Sequence, residues 1–175
     1  MLIKQNENRR IANKVAKKVM EHKFTDKLEQ ELQLSLPQDY KHFLKGGIIK
    51  VGDKNFLIGE TCHNVCYENN NCNNETVDFA TLNTFYGDTV DEIDNLLINN
   101  NLAFYKRIPS DFITIACTLG DNQICLGAKG AHTGKIYLWE MEFEADENTP
   151  QPYYENMTLI TNTFQDFLDG LFLDI

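Results

Sequence analysis

Apolar residues along the chain keep a helical period first, then a two-residue period, and return to a helical one at the end. Ile11, Val15 and Val19 recur at a spacing of four with Lys and Arg between them, which predicts a helix over 6–23 with a thin apolar stripe. Leu28 and Leu32 continue the period in a shorter helix over about 25–33. In SLPQDYKHFLKGG, Ser35 and Gln38 stand at capping-box spacing, Pro37 lies in the first turn, and Tyr40, Phe43 and Leu44 form the apolar face. Gly46 and Gly47 end that helix. IIKVGDKNFLIGE reads as two short strands around a Gly-Asp turn, and the polar, Asn-rich stretch 60–76 reads as a loop. VDFATL is a strand, and Thr89 to Glu92 is a second capping box opening a helix with Val90, Ile93, Leu96 and Leu97 inward. FITIACTL, NQICLG and KIYLWEMEF follow as three strands, the first pair joined through Gly120-Asp121-Asn122, with a loop over 127–134 before the third. MTLIT is a last strand, and Thr163 caps a helix with Phe164, Phe167, Leu168, Leu171 and Phe172 inward. This order predicts an α+β fold: a mainly antiparallel sheet of about six strands, flanked by N-terminal, middle and C-terminal helices.

The stretch 136–144 carries more than a fold signal. Strand alternation places Tyr137, Trp139, Met141 and Phe143 on a core face, and Ile136, Leu138, Glu140, Glu142 and Glu144 on the opposite one. Like charges on one strand face repel, and Asp146 and Glu147 extend the run. Charge over the whole chain sharpens the point. The 175 residues carry 16 bases and 26 acids, a formal net charge of −10. Residues 1–23 hold seven bases and two acids, so they stand at +5 and the remainder at −15. No base follows Lys135, whereas nine acids do. Asp88, Asp91, Glu92 and Asp94 are accounted for by the start of a helix, where the dipole favours acids. The carboxylates of 140–147, together with Asp121, form a candidate docking surface for a basic partner, since a field of one sign speeds association.

The same charge argues against nucleic acid as a direct partner, which requires clustered Lys and Arg. No signal-peptide pattern and no apolar run of membrane-spanning length occurs, so a cytoplasmic protein without a membrane partner is expected. Five cysteines, an odd number, fit free thiols in a reducing compartment. Cys62, His63, Cys66 and Cys72 raise a zinc reading, but their spacing matches none of the recognised patterns, and no metal or other cofactor is expected. Ser35 and Ser110, the two serines, each lie beside a proline with no base nearby in sequence, and GAKGAHTGK lacks the spacing of a phosphate loop. Catalysis therefore has no evident machinery.

Four blocks resemble those of the SUKH superfamily, which takes in the yeast cell-wall-assembly regulator and many bacterial immunity proteins of polymorphic toxin systems. Leu36-Pro37-Gln38-Asp39-Tyr40-Lys41-His42-Phe43-Leu44, closing on Gly46-Gly47, resembles its opening motif. Ile113-Thr114-Ile115-Ala116 with Gly120-Asp121-Asn122-Gln123-Ile124-Cys125-Leu126 resembles the central block. Gly134-Lys135-Ile136-Tyr137-Leu138-Trp139-Glu140 resembles the tryptophan strand, and Phe164-Gln165-Asp166-Phe167-Leu168 with Leu171 the closing helix. Met141 stands where the family often has histidine, 60–76 looks like an insertion, and the basic N-terminal segment lies outside the match. Periodicity and charge give a basic helix over 1–24, outside the match, and the resemblance implies a SUKH-like domain over 25–175. It also implies a binding module, not an enzyme. Its expected partner is a cognate toxin such as a nuclease, with a regulatory scaffold binding another protein as the alternative.

Overall fold

The structure, a computed structural model, describes residues 24–69, 78–87, 97–146 and 148–174. The expected helix over 6–23, the Thr89–Glu92 box with Val90, Ile93 and Leu96, Cys72 and Glu147 lie outside those residues. Four helices are described: α1 (Phe24–Leu32), α2 (Gln38–Gly46), α3 (Leu97–Ala103) and α4 (Phe164–Asp169). The strands are β1 (Ile48–Val51), β2 (Lys54–Leu57), β3 (Thr61–Asn69), β4 (Asp78–Phe85), β5 (Phe112–Thr118), β6 (Gln123–Gly127), β7 (Ile136–Trp139), β8 (Met157–Thr161) and β9 (Phe172–Leu173). β1 and β2 form a separate hairpin. The other seven form one sheet in the order β8-β7-β6-β5-β4-β3-β9, with each neighbouring pair antiparallel. The α+β class is as expected, with seven strands in the sheet where about six were predicted.

The extra strands have physical causes. Residues 61–69, expected as a loop, form β3, in which Cys62, Val65, Cys66 and Tyr67 are buried. Their alternation is broken because the β3–β4 register shifts between Thr61 and Val65, and Asn64 there takes a left-handed φ of 61°. Cysteine acts here as a small apolar residue, which a polar reading of the stretch misses. Phe172, expected on the last helix, lies beyond it in β9 and pairs with Cys66.

Local signals elsewhere act as their chemistry requires. Gly47 ends α2 with φ 69°, and its N–H returns to the Phe43 carbonyl at 3.1 Å. Thr163 caps α4 by accepting the Asp166 N–H at 3.0 Å. Ser35 does not cap α2. Pro37 holds that position without a side-chain bond, and the Ser35 hydroxyl donates to Glu29 instead. Glu29 also accepts the Leu36 N–H at 2.7 Å and pairs with Lys41 at 2.6 Å, so it clamps α1 to the start of α2.

Both faces of the sheet are buried. On one, Tyr40 and Phe43 of α2 meet Phe164 edge-on at 5.2 and 5.0 Å, and Phe167 lies against Tyr67 and Phe85. Leu36, Leu44, Ile113, Ile124, Ile136 and Leu138 belong to this core, with Leu168 packed at its margin. On the other face Ile108, Phe112, Cys125, Tyr137 and Trp139 form a second, smaller cluster, covered by Phe104, Met141, Tyr154 and Met157. Chain connections rather than a helix layer supply that cover.

Candidate functional site

The expected strand over 136–144 stops at Trp139, and Met141–Phe143 form a single 3-10 turn. Two asparagines supply the reason. The Asn156 side chain donates to the Glu140 carbonyl at 3.0 Å, and the Asn122 carboxamide oxygen accepts the Met141 N–H at 3.1 Å. Backbone groups that a longer strand would offer to a neighbour are thus taken by side chains. The three glutamates therefore do not share one strand face. Phe143, expected in the core, is 57% exposed, whereas Ile136 and Leu138, expected beside the glutamates, are buried in the main core. Tyr137 and Trp139 do face an apolar cluster, the second one.

Asp121 reaches the same end of the sheet by a different route. Gln123 pairs with Trp139 across β6 and β7, so the turn before β6 and the segment after β7 are neighbours. Asp121 sits in that turn with φ 64°, an uncommon conformation outside glycine. Buried Gln123 stabilises it. Its amide donates to the Asp121 carbonyl at 2.7 Å, while its oxygen accepts the hydroxyls of Tyr86 and Thr114, both at 2.8 Å. Gly120 lies exposed in the turn, and Asn122 ties the turn to the 140s as described above.

The acids of this end are not equivalent. Glu142 and Asp121 are exposed and Glu140 is half-buried, and among the described residues none of the three forms an ion pair. Glu144 is already engaged. Arg107 grips it in a two-pronged pair at 2.7 and 2.6 Å, which raises the affinity of the guanidinium for its proton. The same guanidinium lies over Phe104 at 5.0 Å and Trp139 at 5.7 Å. Asp146 accepts the Asn148 N–H at 2.8 Å and the Thr149 hydroxyl at 2.9 Å, and these bonds hold its carboxyl below the usual range.

Sequence reasoning missed Arg107, which holds Glu144, exposed Phe143 beside these acids, and Tyr105, 70% exposed two residues before Arg107. Their signal was the Phe-Tyr-Lys-Arg run of 104–107, a base-bearing aromatic stretch in a body otherwise dominated by acids. Tyr, Phe and Arg within a charged rim are the composition of protein-binding surfaces.

Cys62 and Cys66 are not brought together as a metal site. Cys62 packs in the main core, where burial pushes its thiol up to about 11, and Cys66 lies 3.4 Å from the Thr81 hydroxyl. Among the described residues no group of three His, Cys, Asp or Glu side chains could hold a metal ion. No described helix is long and apolar enough to cross a membrane.

The architecture of two short helices, a hairpin, an antiparallel sheet and a closing helix coincides with a family model. The model of the SMI1 / KNR4 family (SUKH-1) matches residues 23–170. The chain belongs to this family. SUKH domains include toxin immunity proteins and KNR4-like regulators, and they act through protein–protein interaction. Among curated proteins, none matches the chain. The motif residues of this SUKH domain have structural places. Leu36, Tyr40, Phe43, Leu44, Phe164 and Phe167 are buried in the main core, Pro37 and Gly47 bound α2, and Trp139 is fully buried beneath Arg107.

Proposed function

We propose that this SUKH domain is an immunity protein that binds a cognate toxin one-to-one and covers a basic surface on it, a nuclease active site being the surface that fits best. The observation that carries this reading is the convergence of Asp121, Glu140 and Glu142 on one end of the sheet. There the side-chain bonds of Asn122, Gln123 and Asn156 fix the backbone that bears them. Carboxylates that form no ion pair among the described residues keep their field for a partner, and such a field raises the association rate. Exposed Phe143, next to Glu142 in the chain, supplies apolar contact beside them. Family membership supports a binding role, since SUKH domains are generally non-enzymatic immunity or regulator proteins.

The test uses the toxin domain encoded at the same locus. Co-expression with this chain restores growth, and the purified proteins bind with an association rate that falls as salt rises. Changing Asp121, Glu140 and Glu142 together to lysine slows association by at least about tenfold. Unchanged association in that variant would place the contact elsewhere. A KNR4-like regulator is the second reading, favoured by the family model's own description. It predicts no rescue from any toxin and a stable complex with a host protein.

A further inference from the structure

A groove of about 600 Å³ opens between the C-terminal ends of α1 and α3 and the segment around Pro152. That volume is in the range of small-molecule sites. Leu34, Phe104, Ile108 and Phe112 give it apolar walls. Among the described residues its charged lining is Lys106 and Lys129, with no carboxylate. This is a local inversion of charge, because residues 24–175 hold nine bases against twenty-four acids. Asp111, between the lining residues Ser110 and Phe112, accepts the Tyr154 hydroxyl at 3.0 Å, and Glu144 is held by Arg107.

The two lysines are not needed to cap the helices that end here. The last carbonyls of α1 accept from the N–H groups of Gln33 and Leu34, and those of α3 from Phe104 and Tyr105. Among the described residues neither ammonium has a hydrogen bond or an ion pair; Lys106 lies 5.5 Å from the Tyr105 ring. Gln33 (φ 52°) is the left-handed residue of an ordinary helix stop, closed by the Gln33 and Leu34 N–H bonds, and Lys106 (φ 66°) takes the same conformation in the turn after α3. Apolar walls lined by two lysines that have no ion pair among the described residues fit one chemistry. We propose that the groove binds a small amphiphilic organic anion, a flat apolar body bearing a carboxylate, sulfonate or phosphate, with the body against Phe104 and Ile108 and the anion between Lys106 and Lys129.

The test is independent of any toxin. The purified chain is titrated with 8-anilinonaphthalene-1-sulfonate, followed by fluorescence and calorimetry, and in parallel with the neutral N-phenyl-1-naphthylamine. The expected result is saturable binding of one sulfonate per chain, with the neutral analogue binding more weakly. The double variant Lys106→Gln/Lys129→Gln, which touches exposed side chains alone, weakens the sulfonate by about tenfold or more and leaves the neutral analogue unchanged. Ser110→Trp, which fills the groove from its exposed rim, removes both. The proposal is overturned by unsaturable or multiple binding, by a double variant that binds within about twofold of the original, or by equal affinity for the neutral analogue. Circular dichroism confirms that the variants are folded, and should Ser110→Trp not fold, the lysine variant decides alone.

Discussion

Gly127 ends β6 at a point where the loop over 128–135 folds back on it, and replacing it with alanine tests the packing of the second sheet face. A Cβ at this position would lie 1.9 Å from the His132 carbonyl oxygen and 2.5 Å from its carbon. Atoms that close cannot coexist, and the obstacle is backbone, so no rotamer relieves it. The loop must retreat by about 1 Å or more. It is held by two backbone bonds, Gly127 N–H to the Lys135 carbonyl and Gly134 N–H to the Gly127 carbonyl, both 2.9 Å. It also carries His132, whose ring stacks on Tyr154, tilts against Phe112 at 5.0 Å and bonds the Tyr137 hydroxyl at 2.9 Å. Losing the two backbone bonds costs about 1 kcal/mol each, and disturbing the ring contacts about 1 kcal/mol more. The sum, about 3 kcal/mol, lowers the melting temperature of a domain this size by about 6–12 °C. Gly46→Ala is the matched control. Nothing lies within 4 Å of its added methyl and its φ is not left-handed, so it is expected to be neutral or to stabilise by about 0.5 kcal/mol. Urea and thermal unfolding followed by circular dichroism measure both. Gly127→Ala within about 0.5 kcal/mol of the original would refute the account of this loop as rigidly packed.

Two further variants address the joints between helices and sheet. Asn101 is buried and joins α3 to β5 by accepting the Thr114 N–H at 2.9 Å and donating to the Thr114 and Leu97 carbonyls at 2.8 Å. Asn101→Leu keeps the branched outline but strands the Thr114 groups, with an expected loss of about 2–4 kcal/mol; a loss below about 1 kcal/mol in denaturant titration would mean that water reaches them. Burial acts to raise the Glu29 pKa, but the Lys41 ammonium and the Leu36 N–H outweigh it, so the folded carboxyl titrates below its ordinary value. Its contribution is therefore full above the unfolded carboxylate pKa and is lost as pH falls through the lowered folded value. The stability gap between the original and Glu29→Gln should be widest at neutral pH and narrow below about pH 4.5. A gap that widened on acidification would contradict the clamp.

Two helix ends and much of the core were legible in the residues because their signals are local, whereas the Ser35 cap and the sides taken by Phe143, Ile136 and Leu138 were not. The Gly46-Gly47 stop, the Thr163 cap and the apolar faces of α2 and α4 depend on neighbours in sequence and stand where expected. Where β7 stops was not legible. WEMEF continues the alternation perfectly, and the chain turns after Trp139 because Asn122 and Asn156, 19 and 16 residues away from their partners, take its backbone groups. β3 was lost for a related reason, since one displaced residue at Asn64 changes the parity of all that follow. The candidate site inherits this pattern. Acidic residue types were readable, but which of them remain unpaired was not, because Arg107 lies 37 residues from the glutamate it neutralises.

The division of labour between the two faces of the sheet explains how this fold can host different partners. The main face is sealed by helices whose aromatic residues interlock, and a change there costs stability first. The second face is covered by the connections over 104–112, 128–135 and 140–157, which surround a cluster of five buried residues. Those same connections carry Tyr105, Lys106, Arg107, Lys129, Glu142 and Phe143, all exposed. Backbone geometry in them is set by buried or half-buried anchors such as Asn122, Gln123 and Asn156, so the exposed side chains can vary without moving the chain that bears them. Surface chemistry is in this way uncoupled from folding. The proposed acidic docking residues and the lysines of the proposed groove can lie on one sheet because these exposed side chains are not what holds it together.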